Sequence, residues 1–177
     1  MVTKFPIIIA AVIAVMMALI FLPSFNNNNN NNNNKPTGID QIKLSLEYDR
    51  QHLTRTDSST GRVLVATSAD ILIIQNDGYA EYGKLLAKPD EKTFTINGDD
   101  MRQLKGLIFD TGFMNIPTVD YKQKEGLTNL TEYTIKVNAN DTSKVISWVD
   151  ANSYNGTVPS LITNVGSTLD NILSKYT

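Results

Sequence analysis

The stretch DILIIQNDGYAEYGKLL, Asp70–Leu86, decides the fold. An isoleucine-rich run stops at Asn76-Asp77-Gly78, and a second run returns from Tyr79. An Asp-Gly pair favours a tight hairpin, because glycine accepts the positive φ such turns need. Asp70–Gln75 and Tyr79–Leu86 are therefore predicted to pair antiparallel. Toward the N-terminus, Arg62–Ala66 (RVLVA) is a further strand candidate. Ile42–Tyr48 alternates Ile42, Leu44, Leu46 and Tyr48 with Lys43, Ser45 and Glu47, the pattern of a half-buried strand. Between them Arg50–Gly61 is polar and turn-rich, and is expected to be a long surface loop.

Toward the C-terminus a short strand, Thr93–Ile96, is expected after a Lys88-Pro89-Asp90 turn. Asn97-Gly98-Asp99-Asp100 then opens a helix, with cap-type residues and acids at its positive end. Met101, Leu104, Leu107 and Ile108 form its apolar face, and Gly112 is a natural terminator. Phe113, Met114 and Ile116 make an apolar knot that ends at Pro117. Thr131–Val137 places Tyr133, Ile135 and Val137 on one face. Asn138–Ser143 turns the chain, and Lys144–Val149 returns with apolar residues on both faces, which leaves its register open. After a loop at Asn152–Thr157, Pro159 leads into an amphipathic helix built on Leu161, Ile162, Val165, Leu169, Ile172 and Leu173. The order is strands, helix, strands, helix. It predicts an α+β domain, an antiparallel sheet of hairpins with two helices packed on one face.

Ahead of this domain lies a different composition. Phe5–Leu22 holds 18 uncharged residues, and Asn26–Asn34 is nine asparagines in a row. A helix of that apolar length covers roughly 27 Å, close to a hydrocarbon core of about 30 Å. Three readings fit: an uncleaved transmembrane anchor, a cleaved signal peptide that would leave the domain secreted, and a buried core helix. The exit Leu22-Pro23-Ser24-Phe25 is a poor cleavage site and favours the anchor. Lys4 precedes the span and Lys35 follows the asparagines, so near-flank charge puts the N-terminus in the cytoplasm and the domain outside. The asparagine run cannot bury apolar surface and reads as a spacer, at most about 30 Å when extended. The predicted organisation is an anchor at 1–25, a spacer at 26–39 and an extracytoplasmic domain at 40–177.

Composition excludes several functions. The first 34 residues contain one of the 16 basic residues, Lys4, and none of the 18 acids, so the remainder carries a net charge of −3. No basic run is present, which argues against nucleic acid as a partner. Without cysteine there are no disulfides, thiol nucleophiles or thiolate metal sites, a pattern that fits a prokaryotic or archaeal surface. Three Asn-x-Thr sequons, at Asn129, Asn140 and Asn155, are candidate glycosylation sites, barely above chance for a domain rich in Asn, Ser and Thr.

Catalytic motifs are sparse. His52 is the single histidine, and no HExxH, GxSxG or SxxK occurs, so neither a histidine zinc site nor a hydrolase triad is predicted. Gly98-Asp99-Asp100 matches a polymerase signature of three letters, but helix capping accounts for it. Asn138-Ala-Asn140-Asp141 resembles part of a calcium loop without the DxDxDG spacing, and a hairpin turn is the better account. No cofactor is implied, and no two carboxylates stand out as a glycosidase pair. Tyr133 and Trp148 lie on adjacent strand candidates and form either core packing or an aromatic binding surface.

The succession of the Asp77-Gly78 hairpin, helix Asp99–Asp110, Gly112-Phe113 with Ile116, Tyr133/Ile135/Val137, Val145–Trp148, Pro159-x-Leu161 and a final helix resembles emfourin-like domains over roughly 71–173. These are small α+β proteins that include a protein inhibitor of thermolysin-type metalloproteases. The resemblance implies a non-catalytic domain that binds another protein. The Arg50–Gly61 segment and the anchor depart from the pattern, so no inhibitory site carries over. The expected function is a binding or interaction domain held to a membrane by residues 5–22, with an extracytoplasmic protein as partner. Its rivals are a protease-inhibitor-like domain, an envelope hydrolase using carboxylates, and a structural envelope component.

Overall fold

A computed structural model of the chain describes residues 38–58, 61–86, 90–119, 121 and 123–177. The apolar segment 5–22, the asparagine run and Lys88-Pro89 of the expected turn lie outside the described residues. Among the described residues no helix is long and apolar enough to cross a membrane.

The described residues form a six-stranded antiparallel sheet and two α-helices. In chain order these are β1 (Leu44–Ser58), β2 (Gly61–Ile74), β3 (Tyr79–Leu85), β4 (Asp90–Thr95), α1 (Gly98–Phe109), a 3₁₀ turn (Phe113–Asn115), β5 (Asn129–Ala139), β6 (Thr142–Val149) and α2 (Ser160–Tyr176). The spatial order is β4-β3-β2-β1-β5-β6. The first four strands are a meander. The chain then crosses by way of α1 to add the β5–β6 hairpin on the other side of β1.

Register follows the apolar alternation. Leu46 pairs with Ile74 and Val137, and Tyr48 with Leu72 and Ile135, so these side chains share one face. Both helices cover that face. Met101, Leu104 and Ile108 of α1, and Ile162, Val165, Leu169, Ile172 and Leu173 of α2, join the sheet residues in one buried cluster. Leu107 of the expected apolar face is half-buried, and Lys105 is buried beside it. Burial pushes the Lys105 ammonium down, against the pull of Asp40. Asn97 caps α1 by accepting from the Asp100 amide at 2.8 Å, which is the capping role expected of this segment. Asp100 also accepts from Lys175 Nζ at 2.6 Å and the Tyr176 hydroxyl at 2.7 Å, tying the start of α1 to the end of α2.

Two expectations are corrected. Arg50–Gly61 is not a loop, because β1 runs on to Ser58 and pairs with β2 from Ser58↔Gly61 to Leu46↔Ile74. Nor are Arg62–Ala66 and Asp70–Gln75 separate strands. They belong to one strand, interrupted where His52 pairs with Ser68 but Leu53 pairs with Ala66, which makes Thr67 the extra residue of a bulge. Beyond the core this hairpin is a two-stranded ribbon with much of each face in solvent. Its residues therefore need not alternate in polarity, and period-2 patterning fails as a signal. His52 accordingly sits on a strand, exposed as expected, with Nδ1 3.0 Å from the Thr131 hydroxyl.

The open register of β6 is fixed by β5: Ile146 pairs with Ile135 and Trp148 with Tyr133 on the helix-covered face, leaving Val145 exposed. The turn expected over Asn138–Ser143 shrinks to Asn140-Asp141, since Ala139 already pairs with Thr142. Asn140 adopts φ 51°, and its Oδ1 accepts from the Lys43 amide at 3.1 Å. Asn76, in the β2–β3 turn, accepts from the Leu44 amide at 2.9 Å. Two hairpin asparagines thus clamp the start of β1.

Candidate functional site

Where α2 crosses the sheet, three aromatic rings from three strands stack in a row. Tyr48 of β1 lies 6.4 Å from Tyr133 of β5 at 10°, and Tyr133 lies 5.2 Å from Trp148 of β6 at 12°. The pairing of Tyr48 with Ile135 and of Tyr133 with Trp148 places them on the same face. Gly166 lets α2 approach this stack, since a Cβ there would stand 3.0 Å from Trp148 Cζ2. Glycine inside a helix costs roughly 0.5–1 kcal/mol relative to alanine, here offset by the close seat of the indole.

Polar groups surround the stack. Arg50 donates to Asp70 from Nε at 3.1 Å and Nη2 at 2.5 Å, and weakly to Asp170 from Nη1 at 3.4 Å. The Tyr48 hydroxyl donates to Asp170 at 3.2 Å. Burial, and then the Asp170 carboxylate, push the Tyr48 phenol far up, so it stays a donor. Asp150, just after β6, accepts from the Thr131 amide at 3.0 Å and the Ser153 hydroxyl at 2.8 Å. Burial alone would raise the Asp150 carboxyl, but these donors more than offset it and hold it below the usual range.

Between the end of β6 and the first turns of α2 lies an open cleft of about 200 Å³, lined by the ring stack, Asp150, Ala151, Thr163, Gly166, Ser167 and Asp170. No lysine, arginine or histidine is among these lining residues. The Tyr133 phenol is raised by burial first and then by Asp170 and also Asp150, with Arg50 opposing, so it lies in the field of both carboxylates. The structure therefore brings together the two aromatic residues singled out in the sequence, but both faces of Tyr133 are taken by its neighbours and Trp148 is 5% exposed. What the cleft offers a ligand is carboxylates, hydroxyls and ring edges. Asp150, Asp170 and Arg50 carried no sequence signal, because Arg50 meets Asp170 only through a contact 120 residues apart in the chain and Asp150 is placed by the Thr131 amide of the neighbouring strand.

The candidate glycosylation sites are all exposed: Asn129 opens β5, Asn140 sits in the β5–β6 turn, and Asn155 is in the loop before α2. Among the described residues no three His, Cys, Asp or Glu side chains are grouped to hold a metal. A scan against protein-family models gives no match to this chain, and a search of curated proteins gives none either.

The opposite face of the sheet carries an acid with a desolvated carboxyl oxygen. Asp49, which pairs with Ile71 and Thr134, has a buried Oδ1 with no hydrogen-bond partner. Burial first, and then Glu47, push its carboxyl up to about 7, with Lys136 opposing. The folded protein thus holds this proton more tightly than the unfolded chain, so its stability falls as pH rises from about 4 to 7 and levels off above. With partial exposure screening the charge, Asp49→Asn is expected to stabilise the domain by about 1–2 kcal/mol at pH 8 and to leave it unchanged near pH 4. Thermal melts of both proteins across that range check the difference.

Proposed function

We propose that this chain is a membrane-tethered, extracytoplasmic binding module whose cleft receives a basic side chain of a partner protein. The observation that carries the reading is the cleft itself, with Asp150 and Asp170 in its wall and no basic lining residue. Lysine and arginine side chains are the complementary ligands, and a guanidinium can also bridge to the Thr163 and Ser167 hydroxyls. A sugar-binding platform is less well served, because stacking needs a free ring face and the faces of Tyr133 are occupied. A glycosidase pair is also less well served, since it requires one carboxyl raised to act as an acid. Asp150 is instead held down. The apolar 5–22 segment supports the tether, and the resemblance to emfourin-like domains supports the same class, a non-catalytic protein binder.

Crosslinking and pull-down from native membranes tests this reading. The parent chain is expected to recover a partner reproducibly, and an Asp150→Asn/Asp170→Asn double variant to recover at least about tenfold less, a difference of about 1.4 kcal/mol. Equal recovery by the two proteins would show that the cleft does not hold the partner.

A further inference from the structure

The second edge of β2 is bare where it leaves the core. β3 pairs with β2 only from Ala69 to Ile74, so among the described residues Arg62–Ala66 has β1 on one side and no strand on the other. The β1 side of the same ribbon is different: its Arg55 amide donates to the Thr128 carbonyl at 2.7 Å. The bare segment, RVLVA, is lightly protected for an edge, with the Thr67 bulge only at its far end. It has no proline and a single charge, and its valines at 63 and 65 are 40% and 45% exposed.

We propose that this edge pairs antiparallel with the same edge of a second copy of the chain, with Leu64 opposite Leu64 of that copy. Backbone groups along a strand point alternately to its two sides, so two identical antiparallel edges bring donors opposite acceptors only when the two-fold axis passes through a residue. The regular stretch between the ribbon turn and the Thr67 bulge is Arg62–Ala66, and its middle residue is Leu64. This register sets Val63 against Val65 of the other copy and Arg62 against Ala66. β-branched residues pair favourably, and no like charges oppose one another. Five residues of pairing make a small interface of the weak, reversible class.

The absence of cysteine makes the register directly measurable. Single variants Leu64→Cys, Val63→Cys and Val65→Cys of the full chain are oxidised mildly in membranes. Opposed residues in this pairing have Cα atoms about 4.5–5.5 Å apart, within disulfide range, whereas residue 63 stands roughly 8 Å from its own counterpart, outside it. Leu64→Cys is expected to form dimer at least fivefold faster than either valine variant. Mixed Val63→Cys and Val65→Cys chains are expected to crosslink to each other. Adding Val65→Lys to Leu64→Cys is expected to cut the yield at least fivefold with an unchanged circular dichroism spectrum. Equal rates at all three positions, no dimer from Leu64→Cys, or an adduct with a different protein would each overturn the proposal.

Discussion

Trp148→Ala is expected to destabilise the domain by about 3–5 kcal/mol, the range for deleting a buried large aromatic. The indole is nearly fully buried, stacked on Tyr133 and pressed by α2 at Gly166. Removing it leaves a cavity that β6 cannot close, because Trp148 is locked opposite Tyr133 by the β5–β6 ladder. α2 cannot close it either, since its Ile162, Val165 and Leu169 are anchored in the core on the same face. Trp148→Phe keeps a ring on Tyr133 and is expected to lose only about half as much. Chemical denaturation followed by circular dichroism measures both. A loss under about 1 kcal/mol for the alanine variant would mean that the stack does not hold α2 on the sheet.

Gly78→Ala is the second large effect, expected to cost about 2–4 kcal/mol. Gly78 has φ 87°, where an L side chain is strained, and an added Cβ would lie 2.8 Å from the Ile96 carbonyl oxygen. That oxygen is backbone and cannot swing away. The Gly78 carbonyl accepts from the Ile96 amide at 2.9 Å, so relieving the clash separates the β2–β3 turn from the lead-in to α1. Denaturation midpoints of the two proteins check this. Gly98→Ala, at a position with open space around the new Cβ, is the control and is expected to lie within about 0.5 kcal/mol of the parent.

The same glycine shows why much of the fold was legible. Asn76-Asp77-Gly78 announces its turn, and the residues around it alternate because one face is buried. Where both faces of a strand are largely wet, as at Thr56 and Asp57, the chain carries no such record, and a strand looks like a loop. The helices were legible from their apolar spacing, with Lys105 as an exception that only packing explains. At the cleft, Tyr133 and Trp148 could be paired from adjacent strands. Asp170 joins them only because α2 lies across that face, and Asp150 only because Thr131 and Ser153 turn its carboxylate into a satisfied acceptor. Asp49 was invisible for a related reason: its polarity fits a solvent-side position, and nothing local records that neighbours desolvate one of its oxygens.

Trp148 is the chain's single tryptophan and borders the cleft, so its fluorescence reports directly on occupancy. Titrating the full chain with short peptides of equal length, one lysine- and arginine-rich, one neutral and one acidic, tests whether the cleft takes a basic side chain. A saturable change is expected with the basic peptide alone, weakened by added salt and lost in the Asp150→Asn/Asp170→Asn variant. A response of equal size to all three peptides, or none to the basic one, would contradict it.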